Sequence, residues 1–280
     1  MVTFLVILAV LGIAAFGLWR YVQGLSGDQK AQIKGRVNRF WIDAERKGWY
    51  PRAPAFITDY DDDYPWFREF EKHYDVVREE CESLIGIRDQ LTDVEALGGG
   101  YTEGGIHAIQ WKSFMFKQGE FIEENCRLAP KTTELLRKIP NCYTAFFSIL
   151  EPDQYVVPHF GYYKGFLRYH LGVRIPKNNE DHACWLRINA DPEDNRIREK
   201  HLATKGDKYY WKNGEGVLFD DTYLHDAANE SDEVRVVLWL DIARKLPWYL
   251  HAFNKLCLWI VHKDGSIKKI RRNATLNIET

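Results

Sequence analysis

The chain has 280 residues, 45% of them hydrophobic, which suffices for one large catalytic domain with appendages and an ample core. Its formal net charge is −2, and it carries no basic repeat, zinc-finger spacing or helix-turn-helix pattern, so nucleic acid is set aside as a partner. The five cysteines, Cys81, Cys126, Cys142, Cys184 and Cys257, are scattered, odd in number and free of any CxxC pair, which reads as thiols in a reducing compartment rather than a disulfide framework.

The first predicted element is VTFLVILAVLGIAAFGLW, residues 2–19, uncharged and almost wholly apolar. It holds about the minimum needed to span the hydrocarbon core of a bilayer. No basic residue precedes it, and Arg20, Lys30, Lys34, Arg36 and Arg39 follow it. The pattern predicts a single-pass transmembrane helix with the rest of the protein on the cytoplasmic side. A buried hydrophobic helix and an uncleaved signal are the other readings. Residues 21–64 read as a juxtamembrane helix or linker, closing on the acidic, turn-rich RAPAFITDYDDDYPW.

In PWFREFEKHYDVVREECESLI, Phe67, Phe70, Tyr74, Val77 and Cys81 recur at helical spacing, and Pro65 suits the first turn. APKTTELLRKIP predicts a shorter helix between Pro130 and Pro140. From Tyr143 onward the period changes. YTAFFSIL, QYVVPHF, FLRYHLGVRIP, CWLRINA, KYYWKNGEGVLFDDT, YLHDAAN and VRVVLWLDI are short β-branched and aromatic runs separated by Gly, Asn, Asp and Pro. Such a succession predicts a mainly β domain with flanking helices, closed or double-sheeted, such as a jelly roll of the cupin kind. In LPWYLHAFNKLCLWIVH, Tyr249, Phe253, Leu256 and Ile260 share a helical face, and KDGSIKKIRR follows with five basic residues. This pattern fits an amphipathic helix on a membrane surface and equally a helix packed on the β-core. The chain thus divides into an anchor (1–20), a linker (21–64), a catalytic domain (65–245) and a C-terminal helix with a basic tail (246–280).

Strand alternation singles out the candidate site. In FLRYHLGVR, Arg168, His170, Gly172 and Arg174 share one face, and Leu167, Tyr169, Leu171 and Val173 the other. Arg and His alternating on a face suggests an anion pocket, since guanidinium offers a planar fork to carboxylate or phosphate; a solvated outer face is the alternative. Further on, Arg235 shares a face with Val237, Trp239 and Asp241. A charge within so apolar a strand needs a partner, either a bound carboxylate or a protein group such as Asp241 or Asp220. His159 and His225, separated by several strands, are disposed as a jelly roll can hold non-haem iron; by spacing alone, zinc or no metal is equally open.

PHFGYYKGFLRYHLGVRIP, GEGVLFDDTYLHDAANES and VRVVLWLDI resemble the aspartyl/asparaginyl β-hydroxylase family, and WKSFMFKQGE and NCRLAPKTTELLRKIP resemble its upstream segments. The resemblance implies an Fe(II)- and 2-oxoglutarate-dependent dioxygenase on a double-stranded β-helix. It implies His159 and His225 as iron ligands, Arg235 on the distal carboxylate of 2-oxoglutarate, Ser148 as its hydrogen-bond partner, His170 on its other carboxylate, and Arg168 on an anionic group of the prime substrate. Where most such iron sites carry Asp or Glu two residues after the first histidine, this chain has Gly161. The peptide-hydroxylating branch has glycine there too, which implies a two-histidine site completed by water, with Asp220, Asp221 and Asp226 as further ligand or supporting candidates; the lipid A 2-hydroxylases carry aspartate instead. The vacancy also leaves room for a halide. The expected substrate is a membrane lipid acyl chain, of lipid A or ornithine-lipid type. Peptidyl aspartyl/asparaginyl β-hydroxylation is the alternative, and a non-catalytic membrane-tethered module a third reading.

Overall fold

The computed structural model describes residues 2–98 and 109–276, with side chains described from residue 12 onward. Helix α1 (Val2–Gln23) is followed by α2 (Gly27–Arg46), which starts at Ser26. The Ser26 hydroxyl accepts from the Gln29 N–H, and the Gln29 side chain accepts from the Ser26 N–H, a reciprocal cap that fixes the helix start. The segment expected as a transmembrane anchor lies in α1, but the side chains of residues 1–11 fall outside the described residues. Among the described residues no helix is long and apolar enough to cross a membrane.

The long periodic stretch after Pro65 forms two helices, α3 (Trp66–Lys72) and α4 (Tyr74–Ile85). His73 ends the first: its Nδ1 lies 2.8 Å from the Glu69 carbonyl, in competition with the backbone ladder. The expected apolar face holds, with Phe67, Phe70, Val77 and Cys81 buried. Then follow β1 (Thr92–Asp93), α5 (Val94–Leu97), β2 (Trp111–Gln118), β3 (Glu120–Phe121), α6 (Glu123–Cys126) and α7 (Pro130–Lys138), the last opening on the expected proline. The strand region therefore begins well before Tyr143. Continuing, β4 (Cys142–Leu150), β5 (Gln154–His159), β6 (Phe166–Arg174), β7 (Cys184–Asn189), α8 (Pro192–Ile197), β8 (Asp207–Tyr210), β9 (Gly216–Phe219), β10 (Leu224–Asn229) and β11 (Arg235–Ala243) complete the roll, and α9 (Trp248–His262) and α10 (Gly265–Ala274) follow it.

The larger sheet has the order β1-β2-β4-β11-β6-β9, with β3 beside β2; the smaller has β5-β10-β7-β8. From β4 to β11 the chain passes back and forth between the sheets, which is the winding of a jelly roll. The outer face of the larger sheet is covered by helices. Tyr169 on β6 stacks flat on Phe67 of α3, with ring centroids 3.9 Å apart.

The flanking segments are packed on the roll. Trp41 and Ala44 of α2 are buried with Tyr163, Leu250 and Leu258. The basic tail contains α10, whose Ile267, Ile270 and Ala274 enter the main core. Spacing of three to four residues lets these three face inward while Lys268, Lys269, Arg271 and Arg272 lie around them. All five cysteines are unpaired.

At the end of α9, His262 stacks on Tyr143 at 4.6 Å. Gly119, at φ +72°, leaves the ring its place; a Cβ there would stand 2.7 Å from His262 Cδ2. Burial pushes the His262 imidazole down to about 4 from its ordinary 6.5. The unfolded chain therefore takes up this proton more readily, and the stability contributed by the neutral ring is lost as pH falls from 6.5 to 4. Denaturant unfolding should show a shallower acid loss in His262→Gln, by at most about 1.4 kcal/mol per pH unit within that window.

Candidate active site

The ladder between β5 and β10 pairs His159 directly with His225. Their rings lie side by side, with centroids 4.1 Å apart. Each Nδ1 sits 2.8 Å from a backbone carbonyl, that of Val157 for His159 and that of Tyr223 for His225. A carbonyl oxygen only accepts, so each Nδ1 carries the proton and each Nε2 keeps its lone pair. Burial holds both rings neutral: His159 is pushed down to about 4, and His225 well below its ordinary value by burial and then by His159. Two fixed, neutral imidazoles with carbonyl-oriented tautomers are suited to a divalent metal ion.

No third His, Cys, Asp or Glu joins them among the described residues. The three candidate aspartates are engaged elsewhere. Asp226 takes Arg187 and the Tyr155 hydroxyl; Asp220 takes Lys164 and Arg244; Asp221 takes Arg168 at 2.8 Å. Gly161 is now explained. Its N–H donates to the Asp221 carbonyl at 2.7 Å, and a Cβ on it would run into the Asp221 carboxylate. The space that an aspartate at 161 would need is already filled from the other strand end. Burial raises the Asp221 carboxyl to about 7, with Arg168 pulling it down and Asp241 pushing it up.

Facing the histidines, the inner face of the larger sheet carries Ser148 on β4, His170 and Arg168 on β6, and Arg235, Trp239 and Asp241 on β11. The register sets Trp239 opposite His170, Asp241 opposite Arg168 and Val237 opposite Ser148. Arg235 is 3% exposed and stands 4.6 Å from the Trp211 ring, and among the described residues no carboxylate pairs with it. Its Nε has no hydrogen-bond partner, nor do Nδ1 and Nε2 of His170 or Nε1 of Trp211. Burial lowers the Arg235 guanidinium to about 10. Ser148 Oγ accepts from Trp111 Nε1 at 2.9 Å and keeps its own proton to donate. Buried polar groups without partners are costly and rare. Unpartnered donors from Arg235, His170 and Trp211 fit a small, multiply charged anion such as a dicarboxylate.

Of the protein partners open to Arg235 on spacing, neither Asp241 nor Asp220 pairs with it. Asp241 pairs with Arg168 at 2.8 Å. The Arg168 guanidinium carbon also lies over the Trp239 ring, 3.6 Å from its centroid. The anions found on Arg168 are thus the chain's own Asp221 and Asp241. The structure adds residues that the sequence reading did not assign to the site: the indoles of Trp111, Trp211 and Trp239, and Lys164 with Arg244. Trp239 already lay on the Arg235 face by alternation; the others depend on pairings across the fold.

Residues 71–245 match the family model described as Aspartyl/Asparaginyl beta-hydroxylase, and the chain belongs to that family. An ornithine lipid ester-linked acyl 2-hydroxylase of Rhizobium tropici is 32% identical over 191 residues, which cover 65% of this chain and 59% of that protein. Human aspartate beta-hydroxylase domain-containing protein 2 is 29% identical over 157 residues, 52% of this chain and 37% of that one. Human aspartyl/asparaginyl beta-hydroxylase is 29% identical over 138 residues, 47% and 16% of the respective chains. The chain therefore spans less than two thirds of the length of these relatives.

The tight fit at Gly161 has a measurable consequence. Gly161→Ala must displace both the Asp221 carboxylate and its carbonyl, 2.6 Å from the added carbon. Thermal unfolding should show a loss of about 1–3 kcal/mol, the usual cost of overpacking a fitted site. A variant as stable as the parent would mean that this turn yields freely.

Proposed function

We propose that this protein is an Fe(II)- and 2-oxoglutarate-dependent hydroxylase whose substrate is a membrane lipid acyl chain. The observation that carries the reading is the pairing of two neutral, lone-pair-bearing imidazoles with a buried guanidinium that has no counterion among the described residues. His159 and His225 would hold the iron. Arg235 and Ser148 would take the distal carboxylate of 2-oxoglutarate, and His170 its other end. When bound, iron and 2-oxoglutarate supply the oxidising chemistry: dioxygen and 2-oxoglutarate are consumed, succinate and carbon dioxide leave, and one oxygen atom enters a C–H bond of the substrate. The chain's part is to orient both groups and keep water away, for which the Trp111, Trp211 and Trp239 indoles form the wall. Arg168, with Asp221 and Asp241 on it, lines the same wall and would present this charged row to the polar part of the substrate.

Three features support a lipid. The ornithine lipid acyl 2-hydroxylase matches nearly two thirds of this chain. The apolar run 2–19 with basic residues after it suits a single-pass anchor that leaves the catalytic domain on the cytoplasmic side. Trp248, Tyr249, Phe253 and Trp259 are exposed on α9, a composition suited to a bilayer interface. Peptide hydroxylation is the second reading, favoured by Gly161 in place of an aspartate.

Purified protein supplied with Fe(II), 2-oxoglutarate and oxygen should release succinate, and His159→Ala or His225→Ala should abolish it; unchanged turnover in either would remove the iron assignment. Lipid mass spectra of cells with and without the gene should differ by species heavier by one oxygen atom. If only a peptide substrate gains oxygen, the lipid reading gives way to the second.

A separate check needs no turnover. 2-Oxoglutarate should raise the melting temperature of the parent, by the equivalent of about 2.7 kcal/mol at a hundredfold excess over its dissociation constant. Arg235→Met should lose that response yet unfold no more easily without ligand, since an unpaired buried charge is replaced by an apolar chain.

A further inference from the structure

The turn that follows His159 and the turn that precedes His225 are tied together. Besides the Gly161 contact with Asp221, the Lys164 ammonium donates to the Asp220 carboxylate at 2.8 Å. Arg244 reaches the same carboxylate and also the Lys164 carbonyl, the latter at 3.2 Å. Asp220 in turn accepts from the Thr222 N–H at 3.1 Å and its hydroxyl at 2.6 Å. This shapes the turn whose Tyr223 carbonyl holds His225 Nδ1. Burial opposes ionisation of Asp220, but Arg244 and Lys164 outweigh it and keep the carboxylate charged.

Two helices outside the family match at 71–245 close on this knot. From α2, the Glu45 carboxylate lies 3.1 Å from the Lys164 ammonium. Asn38 accepts from the Lys164 N–H at 3.1 Å and donates to the Tyr162 carbonyl at 2.9 Å. The Trp41 indole donates to the Tyr163 hydroxyl at 3.1 Å. From α9, Asn254 accepts from that hydroxyl at 2.7 Å and donates to the Gly165 carbonyl at 2.9 Å. Each residue from 162 to 165 is thus held by α2, α9 or both. Trp41 and Asn254 are fully buried, and Lys164 nearly so. Glu45 and Asp220 together balance the charges of Lys164 and Arg244 in this buried cluster.

We propose that α2 and α9 are a brace for the metal-binding loop, with Glu45, Asn38 and Asn254 as positioning residues that set the distance between the two histidines. The inference rests on the reading of His159 and His225 as metal ligands. It makes α2 part of the catalytic unit rather than a linker to it.

The test titrates Co(II) alone into the metal-free protein, read by its visible absorption, with thermal unfolding of the metal-free protein measured alongside. Glu45→Gln removes the second carboxylate from Lys164; Asn38→Ala and Asn254→Ala remove loop contacts without leaving a buried charge unpaired. Each should weaken Co(II) binding about tenfold, the usual effect of losing a group that orients a metal ligand. Each should also alter the absorption band, while Arg46→Gln on the exposed side of α2 leaves both unchanged. Parent-like Co(II) affinity and spectrum in all three variants would overturn the brace, as would losses no larger than the loss of folded protein. His159→Ala in the same assay separates the two levels: full Co(II) binding there would overturn the metal reading itself.

Discussion

A guanidinium held in the interior, with no carboxylate paired to it among the described residues, is the constraint on which the proposed use of this β-roll depends. Arg235 opens β11, which is hydrogen-bonded on both sides, by β4 and by β6. A charge in that position costs several kcal/mol unless something compensates it. The Trp211 ring beneath it offers part of the compensation, of order 1–2 kcal/mol for a desolvated cation over an indole. The other buried cations of the roll are matched. Arg168 lies between Asp221 and Asp241, and Arg244 and Lys164 meet Asp220; the half-buried Arg187 likewise meets Asp226. The contrast sets Arg235 apart: among the described residues it is the buried cation of this row with no carboxylate on it, which supports the proposal of an anion there.

The same strand serves both core and site because its period is two. Val236, Leu238, Leu240 and Ile242 face the outer layer and are buried there, while Arg235, Trp239 and Asp241 face the histidines. The opposite sheet obeys the same constraint. His159 and His225 meet because they are direct partners in the β5–β10 register, and a slip of one residue would turn one ring to the far side of the sheet. The irregularity between His225 and Ala227 lies beside this pair, where a bulge can re-aim a side chain. Tyr169 carries the logic outward: its neighbours Arg168 and His170 look into the site, while its own ring stacks on Phe67 and joins sheet to helix.

Much of this was legible in the sequence, and the limits have physical causes. Alternation placed Arg168 with His170, and Arg235 with Trp239 and Asp241, because a strand's faces follow from its local order. Pairing across strands does not. Asp241 was open to Arg235 on spacing; it meets Arg168 because those two stand opposite in the β6–β11 register, whereas Arg235 lies at the other end of the strand. Gly161 marked a missing carboxylate, but the group filling its space comes from Asp221, sixty residues away in the chain. In composition α10 reads as a basic tail, because four cations outweigh Ile267, Ile270 and Ala274, though not in spacing. β2 is hidden for the opposite reason: WKSFMFKQ mixes Lys and Gln into an aromatic run without a clean alternation, because six of its eight residues are buried, on both faces of the strand.

Helix α2 is where the domain and the segment before it meet, and its two faces make that a mechanical matter. Trp41, Ala44, Asn38 and Glu45 turn inward at helical spacing, while Arg36, Arg39, Arg46 and Lys47 are exposed. A hydrogen bond weakens steeply once its length or angle leaves a narrow range. The Asn38 contacts with Tyr162 and Lys164, at 2.9 and 3.1 Å, therefore tolerate little motion of the helix. Tyr162 and Lys164 lie three and five residues beyond His159, with Gly161 pinned to Asp221 between them. A rigid helix that moved on its outer side would move these atoms too, since the Trp41 ring is fully buried and the packing around it leaves no slack. On the proposed brace, whatever seats the outer face of α2 would therefore act on the geometry of the two imidazoles across the three to five residues that separate these contacts from His159.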